Sequence, residues 1–286
     1  MPLVGSELLR TARAERHGVG AFNVIGIDHA EALVAAAEAA QLPVILQVSE
    51  NAAKYHAATG APGLAPISRA TAEIAAAASV PVVLHLDHAI DEALIDEALG
   101  LGFGSVMFDG AHLPDAENIE RTAAVAQRAH AAGVWVEAEL GEVGGKEHQP
   151  RSAHEPGVKT DPLQAKEFVE LTGVDALAVA VGSQHAMTER SAALDTERIA
   201  AIADAVPVPL VLHGSSGVPD AEIVAGVAAG LTKINVSTHL NKVYTGAVRK
   251  YLADNPTVVD PRKYTTAARA AMRDETARLL RLIHGA

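Results

Sequence analysis

The sequence predicts an α/β protein, a (β/α)8 TIM barrel. Three observations predict it: eight short apolar runs at even spacing, a longer Ala-rich, charge-dotted stretch of helical period in each gap, and no GxGxxG after the first run. Short runs apolar on both faces belong to a buried parallel sheet. Strand–helix alternation sustained over 286 residues fits a closed barrel better than an open doubly wound sheet. The strands are expected at Val19–Val24, Pro43–Val48, Pro81–Leu86, Ser105–Asp109, Val134–Leu140, Ala176–Val181, Pro209–His213 and Lys233–Val236. Helices fill the gaps at Ile27–Ala40, Pro66–Ala78, Glu92–Leu101, Pro114–Ala132, Pro162–Leu171, Asp195–Ala205 and Pro219–Ala229. Asp28, Asp91, Asp161-Pro162 and Pro219-Asp220 are capping signals, and Gly102, Gly133, Gly173 and Gly230 are stops. A first helix, Gly5–Arg16, is expected to cap the barrel bottom. The rhythm breaks at two long loops, Asn51–Gly63 and Gly141–Asp161, and in a helical tail from His239 to Ala286 that is interrupted at Asn255–Asp260. Residues 1–286 thus read as one barrel domain with extra C-terminal helices.

Composition narrows the function classes. Hydrophobic residues are 49% and aromatics 3%, so the core is aliphatic, and 20% charged residues on this apolar background argue against disorder. With no Cys there is no disulfide and no thiolate metal site, so any metal rests on His, Asp or Glu, and there are 13 His. A net charge of −12 argues against nucleic-acid or membrane-surface binding and requires a locally positive pocket for an anionic substrate. Met1–Arg16 has no apolar leader core and no apolar run is long enough to span a bilayer, so the expected location is the cytoplasm.

Chemistry in a barrel sits at the C-terminal ends of the strands. The polar residues there are Asn23, Ser49, His85, Asp87, His88, Asp109, Glu137, Glu139, His185, His213, Asn235, Ser237 and Thr238. His88, His185 and His213 come from three strands to one rim with carboxylates beside them, the donor set of a catalytic divalent metal, most often zinc. Strand alternation puts His85 and Asp87 on one face and His88 on the other, so spacing leaves open which of the two histidines is a ligand. Asp87 is a candidate acid/base or the support of a ligand. Gly214-Ser215-Ser216-Gly217 and Asn235-Val236-Ser237-Thr238 follow the last two strands, where loop amides and hydroxyls of this fold bind phosphate. Gly144-Gly145-Lys146-Glu147 suits a lid carrying a catalytic group. His17, His29, His56, His112, His130, His148, His154, His239 and His284 read as packing or surface residues.

These segments resemble the class II, metal-dependent ketose-bisphosphate aldolases, in order and over nearly the whole chain. The resemblance is carried by Ala21-Phe22-Asn23, Leu84-His85-Leu86-Asp87-His88, Ser105 to Gly110, Val136 to Gly141, Gly144-Gly145, Thr160-Asp161-Pro162, Leu177 to Gly182, Leu212 to Gly217, Lys233 to Thr238 and Asp260 to Tyr264. It implies reversible cleavage of a fructose- or tagatose-type ketose 1,6-bisphosphate to dihydroxyacetone phosphate and glyceraldehyde 3-phosphate through a zinc-stabilised enediolate. Zn2+ or another divalent ion would rest on His88, His185 and His213, with Asp109 and Glu139 at a second or alternative metal position. Asp87 and Glu147 would be catalytic. The backbone around Ala186 and Gly214, with Ser216, Asn235, Ser237 and Thr238, would hold dihydroxyacetone phosphate, assisted by Na+ or K+. Ser49 would hold the distal phosphate with Arg262 from a neighbouring subunit, in a homodimer or homotetramer, and Asn23 would lie near the substrate. The chain departs from the family pattern at Ala186 (usually Gly), Glu189 (often Lys), His148 and His239 (often acidic). An atypical ketose phosphate, a non-catalytic barrel subunit, a Schiff-base enzyme built on Lys233 and a metal-dependent hydrolase are the alternatives.

Overall fold

The computed structural model describes residues 5–57, 63–141, 159–185, 187 and 189–285. Helix α1 (Gly5–Glu15) precedes eight parallel strands: β1 (Val19–Asn23), β2 (Val44–Ser49), β3 (Val82–Ala89), β4 (Ser105–Phe108), β5 (Trp135–Leu140), β6 (Ala176–Val179), β7 (Leu210–Leu212) and β8 (Leu231–Val236). They close into a barrel in chain order, β8 returning to β1 with Asn235 opposite Ala21. Between them run α2 (Ile27–Ala40), α3 (Glu50–Ala57), α4 (Leu64–Ala76), α5 (Glu92–Gly100), α6 (Asp115–Ala131), α7 (Pro162–Thr172), α8 (Thr196–Ala205) and α9 (Asp220–Ala229). The tail forms α10 (Thr238–Asp254) and α11 (Pro261–His284), broken where the sequence predicts. No helix among the described residues is long and apolar enough to cross a membrane.

Alternation along the strands separates two cores. Phe22, Leu46, Leu84, Leu86, Val106, Val136, Leu177, Leu212 and Ile234 face outward into the layer beneath the helices. Val19, Ala21, Ile45, Val83, Trp135, Ala176, Ala178 and Val211 face inward, where Leu8, Leu9 and Ala12 of α1 close the lower end, as expected. The inner face is not apolar throughout. Above this layer the inward positions become His85, Asp87, Glu137, Glu139, His213, Lys233 and Asn235, all buried. The expectation of strands apolar on both faces therefore holds for the lower barrel only.

Two local expectations change. Residues 50–57 are not loop: Glu50–Ala57 is α3, started by Ser49, whose Oγ accepts from Ala52 N at 3.2 Å, and held down by buried Ala52 and Ala53. Asp28 does not cap α2; Gly26 occupies that place and Asp28 adds its charge to the first turn. Asp91 and Asp161 do cap α5 and α7, the latter accepting from Leu163 N and Gln164 N. Pro219 precedes α9 without a side-chain cap. Most of the predicted 141–161 loop lies outside the described residues.

Helix α11 is fastened along the barrel wall by Ala268, Met272, Ala277, Leu279, Leu280 and Ile283, and Ile283 O accepts from Gly18 N at the foot of β1. Leu280 is 2% exposed. Leu280→Ala should therefore lower the unfolding free energy by about 2–5 kcal/mol, the range for a large-to-small change in a packed core. Urea unfolding measures it; a loss well below that range would mean that α11 packs only loosely.

Candidate metal centre

Three histidines meet at the upper end of the barrel. His88 leaves β3, His185 follows β6 and His213 follows β7, with ring centroids 4.5 Å (His88–His213), 5.0 Å (His88–His185) and 5.8 Å (His185–His213) apart. With Glu139 of β5 they each offer one ligand atom, and these four atoms lie within 4.8 Å of one another. The group is the donor set that the rim residues predict, with Glu139 inside it.

A bulge resolves the ambiguity between His85 and His88. The β3–β4 register shifts between Leu86 and Ala89, and His88 takes the left-handed conformation with φ of 50°. That conformation costs a non-glycine residue about 1–2 kcal/mol. It swings His88 off the outward face that strict alternation assigns to it, so that Asp87 and His88 both serve the rim. Asp109 Oδ2 stands 2.8 Å from His88 Nδ1, leaving Nε2 for the centre. Asp109 thus supports a ligand and is not among the four grouped residues. His85 stays below, fully buried, its Nδ1 on Ser105 Oγ at 2.8 Å and its Nε2 3.4 Å from Lys233 Nζ.

His213 lies between two buried carboxylates. Its Nδ1 is 2.9 Å from Glu139 Oε2 and its Nε2 2.9 Å from Glu137 Oε1. Burial alone would lower its pKa, but hydrogen bonds to Glu137 and Glu139 raise it to about 9. The two carboxylates therefore demand positive charge at this place, which suits a divalent cation. Glu137 is held in turn by Lys233, whose Nζ donates to Oε2 at 2.8 Å. Burial works against charge on Glu137, yet Lys233 and His213 keep it strongly acidic. Burial and the neighbouring Lys233 push His85 down to about 3, so it stays neutral. Lys233 is closed off from solvent and committed to Glu137, an arrangement that serves charge compensation rather than attack on a carbonyl.

Asp87 stands beside the cluster, 4% exposed. Its Oδ2 accepts from Asn23 Nδ2 at 2.9 Å and its Oδ1 from Asn235 Nδ2 at 3.4 Å. Asn23 Oδ1 accepts from Gln47 Nε2 at 3.3 Å. Burial raises the Asp87 pKa, but the charges of His88, Lys233 and His213 outweigh it and hold the carboxyl below its usual range. Asp87 is thus an ionised carboxylate beside the histidine cluster.

The two small-residue loops also come together. Gly214 has φ of 66°, and a Cβ there would come within 2.5 Å of the Gln184 carbonyl carbon, so only glycine lets the β7 turn lie against the loop that carries His185. A short 3-10 turn, Ser215–Gly217, follows. Ser216 Oγ accepts from His239 N at 3.1 Å, and Ser215 Oγ donates to Asn235 O. Ser237 is the residue before α10 and Thr238 its first, both half-buried. Met187 packs on Gly217, and Glu189 is exposed. Ala186 and Glu147 lie outside the described residues. Ser49 spends its hydroxyl oxygen on α3, while Arg262, 87% exposed at the start of α11, is paired with Asp260 and stands apart from the cluster in this chain.

The predicted site left out Glu50, whose Oε2 accepts from Ile90 N and Asp91 N at 2.6 and 3.0 Å and so fixes the turn after His88. It also left out Glu137 and Lys233 as working parts. A signal for both exists: each stands two residues before a site residue on its strand, Glu139 and Asn235, and so shares its face.

The chain matches the family described as "Fructose-bisphosphate aldolase class-II" over residues 5–286. It is 39% identical to a fructose-bisphosphate aldolase of Thermus caldophilus, over 96% of this chain and 95% of that protein. It is 40% identical to a probable fructose-bisphosphate aldolase of Bacillus subtilis strain 168, with the same coverage. Among solved structures, the YdjI aldolase from Escherichia coli K12 superposes with a TM-score of 0.83 at 32% identity, over 99% of this chain and 97% of that one.

Lys233→Met strands the Glu137 charge inside the barrel. It should cost about 3–5 kcal/mol, the penalty for removing one partner of a buried ion pair. Chemical unfolding of the variant measures it, and a loss below about 1 kcal/mol would remove Lys233 as the compensating charge.

Proposed function

Because the chain belongs to the class II fructose-bisphosphate aldolase family and is a ketose-bisphosphate aldolase, we propose that it works with a zinc ion held by His88, His185 and His213, with Glu139 as a further or alternative ligand. The observation that carries this reading is the convergence of the four ligand atoms within 4.8 Å of one another beside an ionised Asp87. Zinc suits a mixed imidazole and carboxylate set with a position left for substrate. The supporting carboxylates fit as well: Asp109 orients His88 through Nδ1, and Glu137 orients His213 through Nε2, leaving Nδ1 toward the centre. When bound, the cation supplies Lewis-acid polarisation of the ketose carbonyl and stabilises the negative charge that develops as the carbon–carbon bond breaks.

The chain's own residues carry the protons. Asp87, oriented by Asn23 and Asn235, takes the proton of the C4 hydroxyl. The C3–C4 bond then breaks, C4 leaves as the aldehyde, and its electron pair stays with the dihydroxyacetone phosphate half as an enediolate. Glu147 returns a proton to C3 to complete dihydroxyacetone phosphate. Condensation runs the same steps backward. The phosphate of that half is held by backbone N–H groups at Ala186 and Gly214 and by Ser216, Asn235, Ser237 and Thr238, with Na+ or K+ offsetting its charge. Amides and hydroxyls bind an anion without changing the net charge of −12. The distal phosphate is met by Ser49 and by Arg262 of the partner subunit, in a homodimer or homotetramer. The exposed position of Arg262 supports that reading.

Cleavage of fructose and tagatose 1,6-bisphosphate, assayed in parallel with and without EDTA, tests the metal and identifies the epimer. EDTA should abolish turnover and Zn2+ should restore it; turnover that survives removal of the metal would overturn the assignment. Asp87→Ala should keep its zinc and lose about 10²–10⁴-fold in kcat, the usual worth of a positioned general base. Near-normal turnover in a zinc-loaded Asp87→Ala protein would take Asp87 out of the reaction.

A further inference from the structure

The phosphate end of the proposed site is braced by α11 through a chain of hydrogen-bonded polar side chains. His239 N–H, in the first turn of α10, donates to Ser216 Oγ at 3.1 Å. The His239 ring reaches α11, with Nε2 2.7 Å from Glu275 Oε1. Arg278, one turn further along α11, grips both oxygens of Glu275 at 2.8 Å and donates to Asp220 Oδ2 of α9 at 2.6 Å. The other Asp220 oxygen is 2.6 Å from Arg190 Nη2. Arg190 in turn donates from Nε and Nη2 to Val218 O, at 2.8 and 2.6 Å, just past the 3-10 turn. Ser216 is therefore bracketed by His239 on one side and by Val218 on the other, and both brackets lead to Arg278.

An isolated surface ion pair is worth little. This one differs in geometry: Arg278 holds Glu275 in a two-point fork, and Glu275 and His239 are only 20% and 21% exposed. Burial disfavours charge on Glu275, but Arg278 and His239 pull its pKa down to about 2. The contact also decides what Ser216 can do. Its oxygen is already accepting from His239 N–H, so its own O–H remains to be donated, which is what a phosphate oxygen requires.

We propose that Glu275 is a positioning residue that acts through His239 to hold Ser216 where its hydroxyl donates to a substrate phosphate, with Arg278 and Asp220 bracing Glu275. This rests on the reading of Ser216 as a phosphate ligand. Because it acts through Ser216, its loss is felt in binding of the phosphorylated substrate and only secondarily in the chemical step.

The test is a double-variant cycle in the zinc-loaded, full-length enzyme, with whichever of fructose or tagatose 1,6-bisphosphate turns over faster and with inorganic phosphate as a competitive inhibitor. Ser216→Ala and Glu275→Gln should each raise KM by at least about tenfold, the size expected for one hydrogen bond to a charged group, with a smaller change in kcat for Glu275→Gln. Inorganic phosphate should weaken as an inhibitor by the same factor. The combined variant should be no worse than Ser216→Ala alone. A raised KM in Ser216→Ala with none in Glu275→Gln would overturn the positioning role and leave the phosphate reading standing. Full additivity in the combined variant would overturn it too, since Glu275 would then act by another route. An unchanged KM in Ser216→Ala would overturn both. If Glu275→Gln does not fold, His239→Leu breaks the same contact from the other side and carries the same expectations.

Discussion

A lysine closed inside the barrel, Lys233, carries the charge balance on which the rest of the centre depends. Three carboxylates, Asp87, Glu137 and Glu139, are buried at the upper end with almost no access to water. Burying such charges is prohibitive unless they are paired and hydrogen-bonded. Lys233 meets Glu137 at 2.8 Å, and Glu137 is then free to fix one nitrogen of His213. The other nitrogen, Nδ1, faces Glu139, which belongs to the same four-residue cluster. The negative charge that remains beside the three histidines fits the cation proposed for this cluster. Structural charge and catalytic charge are therefore one system, and the lysine that could have been read as a nucleophile is its counterweight.

The barrel supplies that system with rigid supports. Apolar side chains fill its lower interior around Trp135 and the plug from α1, and polar ones begin one layer higher. Asp87, Glu137, Glu139, Lys233 and Asn235 stand on strands, so their directions are set by sheet alternation, whereas His185 stands on the loop after β6. The exception is the bulge at His88, which departs from alternation at a cost in backbone energy. It brings a carboxylate and an imidazole to the rim side by side from consecutive residues, which a regular strand cannot do. Asp109 behind His88, and Glu50 on the turn that follows, hold the bulge in place.

The C-terminal helices extend this support to the outer side of the site. Closure of the barrel does not need α10 and α11, yet α11 ties the foot of β1 to the start of α10 and to α9. The phosphate-side loops, short and rich in Gly and Ser, have little packing of their own. Gly214 lies tight against the loop carrying His185 and leaves no room for a side chain. What these loops lack in packing they gain from ion pairs made by a helix distant in sequence.

The order of amino acids was enough to place the eight strands, nearly all the helices, the break in the tail and the polar residues on the rim. These are local properties: hydrophobic period, caps and stops are written in neighbouring residues, and barrel closure converts strand ends into a common rim. It also pointed to His88, His185, His213, Asp87 and the two phosphate-type loops. Helix α3 escaped because its start depends on a serine that ends a strand and its face is apolar only over Ala52 and Ala53. Which of His85 and His88 joins the cluster depends on the packing of β3 against β4, because a one-residue bulge reverses the face a side chain takes. Tertiary structure alone paired Lys233 with Glu137 across 96 residues, and His239 with Glu275 across 36. Such pairings depend on which strands and helices become neighbours in space, and no local period or spacing encodes that.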